Sequence, residues 1–128
     1  MKEIHFRGIC KDSKRWVYGY YVHFEDFSQG INYHGICSGY YNTHFEVIPE
    51  SVGQYTGVKD KKNGKDIFEG DIVRIQNLKL LYEVYWDKKE ARYKARNGGC
   101  VSPLCNAYNV FVEEVVGNVF DNPELLEE

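Results

Sequence analysis

The sequence predicts a mainly β chain, a small barrel or rolled antiparallel sheet with short helical turns, folded as one domain over residues 1–128. Three observations predict it. Apolar and aromatic residues alternate with polar ones in several short runs, which is the period of a strand with one buried face. Aromatic residues make up 16% of the chain, with 11 Tyr and 7 Phe against a single Met, and such side chains suit a pleated surface. Glycines, 12 in all, interrupt the runs at short intervals, weakening helices and supplying turns. A length of 128 residues carries one real core and falls short of the size at which a second becomes common.

The elements follow in order. Ile4 and Phe6 share a face of a first strand, and "KDSKR" is the turn into "RWVYGYYVH", where Trp16, Tyr18, Tyr20 and Val22 share a face. Residues 24–43 show no clear period around Gly30, Gly35 and Gly39, and read as loop with short strands. "HFEVI" is a strand stopped by Pro49. In "GQYTGVKDKKNGKDIFEGDIV" the pair Asn63-Gly64 is a two-residue hairpin signal, and Glu69-Gly70-Asp71 makes a second turn. "DIVRIQ" then places Val73 and Ile75 together, and Leu80, Tyr82, Val84 and Trp86 line the next strand, with "EARYKAR" as its polar partner. The last strand, "NVFVEEVVGNVF", loses phase at Glu113 and Glu114, which predicts a bulge or bend. Asp121-Asn122-Pro123 opens a final helical turn with Pro at its first position.

Charge bounds the function. A net charge of -3 with Lys and Arg spread along the chain gives no strong positive field of the kind nucleic acid selects. No apolar run is long enough to cross a bilayer, and "MKEIHFRG" lacks the apolar stretch of a signal peptide. A cytoplasmic protein is therefore the expectation, with its four cysteines as reduced thiols.

Candidate chemistry is thin. Cys100 and Cys105 form C-x4-C and His34 and Cys37 form H-x2-C, spacings that suit a tetrahedral zinc ion only if the fold gathers them. The cysteines read more simply as small hydrophobes or surface thiols, so no metal and no cofactor is assigned. His5, His23, His34 and His44 could each activate a thiol, yet no nucleophile motif surrounds any Cys or Ser. Glu69 and Asp71 flank Gly70, and an acidic turn beside glycine is explained by local backbone hydrogen bonding. No catalytic residue is assigned. The same logic makes the central segment a scaffold: Gly53, Gly57, Gly64 and Gly70 are expected to supply special backbone angles, and Asn63 and Asp71 turn hydrogen bonds.

Two binding readings remain. Eleven tyrosines are too many to hide in a domain of this size, and amphipathic aromatic side chains are enriched at interfaces. That favours a protein-binding module, itself prone to self-association through open sheet edges. The pairs Tyr20-Tyr21 and Tyr40-Tyr41 would each show one ring to either face. Gln54 and Tyr55, placed between two glycines on a tight turn, would be preorganised for a partner. The alternative is a single-stranded nucleic-acid-binding barrel that uses Tyr85, Trp86, Arg92, Tyr93, Lys94 and Arg96 for stacking and phosphate contact.

"VIPESVGQYTG" (47–57), "NGKDIFEGDIV" (63–73) and "EVVGNVFDNPELL" (114–126), in that order, resemble the three hallmark blocks of the YopX family. "IHFRG" and "WVYGYYV" resemble its N-terminal segment, so the likeness covers nearly the whole chain. The family's hairpin tip is one residue shorter, without the doubled Lys61-Lys62, which puts the loop type here in question. The resemblance implies a largely β accessory protein encoded by a phage or prophage, and so the cytoplasm of a bacterial host cell, in a family without an assigned biochemical role, and it transfers no catalytic residue.

Overall fold

The structure, a computed structural model, describes residues 4–38 and 43–127. Tyr40 and Tyr41 lie outside the described residues. Eleven strands follow one another: β1 (Phe6–Ile9), β2 (Trp16–Asp26), β3 (Ile31–Ser38), β4 (Thr43–Glu46), β5 (Gly53–Lys59), β6 (Asp66–Phe68), β7 (Asp71–Ile75), β8 (Leu81–Asp87), β9 (Arg92–Asn97), β10 (Cys100–Pro103) and β11 (Val112–Asn118). Two short 3-10 turns, Pro49–Ser51 and Pro123–Leu126, each begin with proline, whose fixed φ suits a first helical position. The pairs β1–β2, β1–β5, β2–β3, β3–β4, β7–β8, β8–β9, β9–β10 and β7–β11 are all antiparallel.

The chain forms two compact units, Met1–Tyr55 and Thr56–Glu128, which meet in sequence within β5. In the first unit the strand order is β4-β3-β2-β1, with Gly53 and Gln54 of β5 opposite Arg7 and Phe6. Its buried centre includes Cys10, Ile36 and Val47. Gly8 lets β1 approach Val47, since a Cβ at that position would stand 3.1 Å from the valine Cβ. The Ser51 hydroxyl donates to the Ile48 carbonyl at 2.6 Å and accepts the Ile9 N–H at 2.7 Å, joining the 3-10 turn to β1.

In the second unit an open five-stranded sheet runs β10-β9-β8-β7-β11. Alternation along β7, β8 and β9 gathers Val73, Ile75, Tyr82, Val84 and Ala95 on one face, with Ile67, Leu104, Val112 and Val115 packed among them. The register keeps them together, with Val73 opposite Tyr82 and Val84 opposite Ala95. Pairing of β11 with β7 slips between Val112 and Glu114 and again between Val115 and Gly117. The first slip is the bulge that the phase loss at Glu113 and Glu114 predicts.

Four sequence expectations are corrected. No closed barrel forms among the described residues, because β10 and β11 end their sheet without pairing to each other. Residues 24–38, expected to be loop with short strands, are instead nearly all strand: β2 continues to Asp26, the chain turns over Phe27–Gly30 and returns as the eight-residue β3. The Asn63-Gly64 hairpin has a longer tip: only the glycine of the pair has positive φ, at 64°, and Asp60 and Lys65 close the loop through an N–H···O bond of 2.9 Å. Lys61 and Lys62 supply the extra length. Gly53, Gln54 and Tyr55 lie in β5 instead of a turn, since pairing with β1 holds Gly53 and Gln54 extended.

Candidate interaction surfaces

The outward face of β8 and β9 holds part of the surface that the nucleic-acid alternative would use. Direct cross-strand neighbours share a face, and the register sets Glu83 against Arg96, Tyr85 against Lys94 and Asp87 against Arg92. Opposite charges thus meet along two strands. Lys94 Nζ lies 2.8 Å from both Asp87 and Glu90, Arg92 lies 2.9 Å from Glu90, and Arg96 lies 3.4 Å from Glu83 with its guanidinium 4.3 Å over the Tyr85 ring. Hydrogen bonds donated to the Asp87 and Glu90 carboxylates push the Lys94 ammonium above its ordinary value, and the same bonds hold the two carboxyl groups low.

Trp86 and Tyr93 occupy the opposite face of those strands, where their rings meet edge to face at 4.9 Å. Burial, with the Glu69 charge adding to it, pushes the Tyr93 phenol up to about 12. Trp86 stays 42% exposed. The six residues are therefore split between two faces, and the cations among them are ion-paired.

Tyr55 is buried, its ring stacked on His5 at 4.6 Å and its N–H donated to the His5 carbonyl at 2.8 Å. Its role is in packing; half-buried Gln54 is its strand neighbour. Gly57, Gly64 and Gly70 do take positive φ, at 87°, 64° and 92°. Asp71 is buried and accepts the Phe68 N–H at 2.8 Å, the turn bond that its place beside Gly70 predicts.

The cysteines are thiols, with Cys10 buried and Cys100 exposed. His34 and Cys37 are an odd number of positions apart on β3, so they point to opposite faces and cannot share one ion. Among the described residues no group of three or more His, Cys, Asp or Glu is placed to hold a metal. An open depression of about 320 Å³ lies in the second unit beside Ile75, Leu78, Pro103 and Phe111, and its lining includes no titratable side chain.

Sequence reasoning reached only the Tyr20-Tyr21 end of the surface on the β2–β3 hairpin and missed its continuation through Phe24 and Phe27. Tyr18, Tyr20, Val22 and Phe24 alternate along β2 and so share a face; Tyr20 is 64%, Val22 41% and Phe24 53% exposed. Phe27, on the loop joining the strands, is 88% exposed. The opposite face packs Tyr21 and buried Ile36 at one end and turns polar toward the loop. There His23 stands across from His34 with rings 4.0 Å apart, the Tyr21 hydroxyl hydrogen-bonds His34 Nδ1 at 2.5 Å, and His23 Nε2 meets Asn32 at 2.8 Å and Glu25 at 3.2 Å. The available signal was the alternation from Trp16 onward, which runs through Phe24 and past the point where the loop was expected to start.

Asp60 was also missed. Its carboxylate is buried and accepts N–H groups from Asn63 at 2.9 Å, Lys65 at 3.0 Å and Val115 at 3.0 Å. Burial alone would raise its pKa; the three donated hydrogen bonds and the Lys65 charge outweigh burial and hold the group below the usual carboxylate range.

A family model described as YopX protein matches residues 5–127. A search of curated proteins gives no match. No helix among the described residues is long and apolar enough to cross a membrane.

Proposed function

This chain belongs to the YopX family, and on that premise we propose that it is a phage- or prophage-encoded accessory protein that acts in the host cytoplasm, without catalysis, by binding protein, itself included. The observation that carries this reading is the row Tyr20, Val22 and Phe24, exposed along one face of a single strand and continued by Phe27 at its loop. Scattered exposed apolar residues are ordinary, but a contiguous row marks an interaction surface. Tyrosine and phenylalanine supply large contact area at little conformational cost. The neutralised cations of β9 support a protein partner over nucleic acid, because phosphate binding draws on unpaired positive charge.

The test is quantitative capture from nuclease-treated host lysate by the tagged protein and by a Tyr20→Ser/Phe24→Ser variant. Both positions are exposed, so the variant keeps its fold. The expected result is a defined protein recovered by the parent chain and reduced at least tenfold with the variant. Equal recovery by both, or recovery abolished by nuclease, overturns the reading.

A further inference from the structure

We infer that the open edge of β2 pairs antiparallel with the same edge of a second copy of this chain, about a two-fold axis at His23. This deepens the protein-binding reading, on which it rests, by naming one partner and its register. Pairing of β1 with β2 covers Trp16 to Gly19, while β3 pairs with β2 from Tyr20 to Asp26. Among the described residues, the stretch Tyr20–Asp26 therefore has a strand on one side only. It is a seven-residue edge. Natural edges are blunted by lysine, proline, bulges or shortness. This one carries no Lys or Pro, its register with β3 is unbroken, and its charges gather at its far end in Glu25 and Asp26.

The edge is complementary to itself. Antiparallel pairing about His23 sets Val22 against Phe24 of the second copy, Tyr21 against Glu25, and Tyr20 against Asp26, each twice by symmetry. Val–Phe is a favourable cross-strand pair, and a tyrosine hydroxyl can donate to a carboxylate. No carboxylate meets another. Moving the axis to Val22 would drive Glu25 and Asp26 toward Gly19 and Tyr18, an edge that β1 already holds. Moving it to Phe24 would oppose Val22 to Asp26 and leave Tyr20 and Tyr21 beyond the edge, so His23 is the centre that uses all seven residues.

The polar face agrees. His23 already stacks on His34 with 14° between their planes, and strands in a sheet stand about 4.8 Å apart. Pairing at His23 extends that stack across the axis, in the order His34, His23, then His23 and His34 of the second copy.

Cysteine cross-linking with sedimentation tests the inference. Residues facing each other across an antiparallel pair have Cα atoms about 4.5–5.5 Å apart, within the roughly 4.4–6.8 Å that a disulfide spans. Under mild oxidation, His23→Cys should give mostly covalent dimer, and Ser28→Cys, exposed on the β2–β3 loop, no more than the parent chain with its own thiols. Tyr21→Cys mixed with Glu25→Cys should cross-link where neither does alone. His23→Lys, which sets two ammonium groups on the axis, should raise the dimer dissociation constant at least tenfold with an unchanged far-UV spectrum. A chain that sediments as a monomer at about 100 μM, or a His23→Cys yield no higher than that of Ser28→Cys, overturns the inference. Capture of another protein through Tyr20 and Phe24 would survive that failure, so the two readings fail separately.

Discussion

Asp60 shows how much one side chain can organise. Asn63 and Lys65 donate to one oxygen and shape the hairpin tip, while Val115, 55 residues further on, donates to the other. Removing a buried acceptor leaves each donor to bear a desolvation penalty of about 1–3 kcal/mol. Asp60→Ala should therefore cost roughly 3 kcal/mol or more in urea unfolding, read as a lower midpoint at unchanged slope. Its folded pKa lies below the unfolded value of about 3.9. Stability from this group is thus fully present above the unfolded pKa and is lost as pH falls through the folded one. Asp60→Asn should flatten the acid limb of the stability profile below about pH 4, and a limb as steep as that of the parent would count against the assignment. Asp71 was legible in the sequence because it adjoins Gly70 and its partner Phe68 is only three residues away. Asp60 was not, because its distant partner is set by the fold.

At the scale of elements, β2 serves two partners in succession: β1 along its first half and β3 along its second. Gly19 stands at the change. A Cβ there would come 2.1 Å from the Cys37 carbonyl oxygen and 2.8 Å from its carbon. Both are backbone atoms, so no rotamer change relieves the clash. Gly19→Ala should consequently cost roughly 3 kcal/mol, at the large end for one added methyl, whereas Gly30→Ala on the loop meets no atom within 4 Å and pays only for its φ of 67°. Unfolding midpoints of the two variants would compare them, and equal losses would refute a steric role for Gly19. The same geometry explains what could be read in advance. β8 was legible because its alternation sets buried Tyr82 and Val84 against half-buried Glu83 and Tyr85, and β7 because its apolar residues Ile72, Val73 and Ile75 are all buried. The second half of β2 and the first of β3 are largely exposed on both faces, so no burial pattern separates them from loop. Barrel or rolled sheet was as far as the pattern could go, and no closed barrel forms among the described residues: alternation specifies strands and their faces, but not whether the last strand returns to the first.

Across the molecule, the distribution of charge decides between partners more firmly than the net value of -3. The segment Lys88–Arg96 looks basic when read linearly, yet in the sheet Arg92, Lys94 and Arg96 are each set against a carboxylate from β8 or the β8–β9 turn. A phosphate entering there would have to displace Asp87, Glu90 or Glu83. Nucleic-acid binding driven by n phosphate contacts loses affinity with salt at a logarithmic slope of about -0.7n for single strands. Labelled oligonucleotide titrated at low and moderate salt should accordingly show no salt-sensitive binding. The positive control is Glu83→Gln/Asp87→Asn/Glu90→Gln, which releases the three cations and brings the net charge from -3 to 0. Asn at position 87 retains an oxygen for the Lys89 and Glu90 N–H groups that Asp87 accepts, so the turn persists. This variant should acquire weak binding that disappears as salt rises. Steeply salt-dependent binding by the parent chain would show that phosphate outcompetes the carboxylates, and would move the outward face of β8 and β9 from scaffold to functional surface.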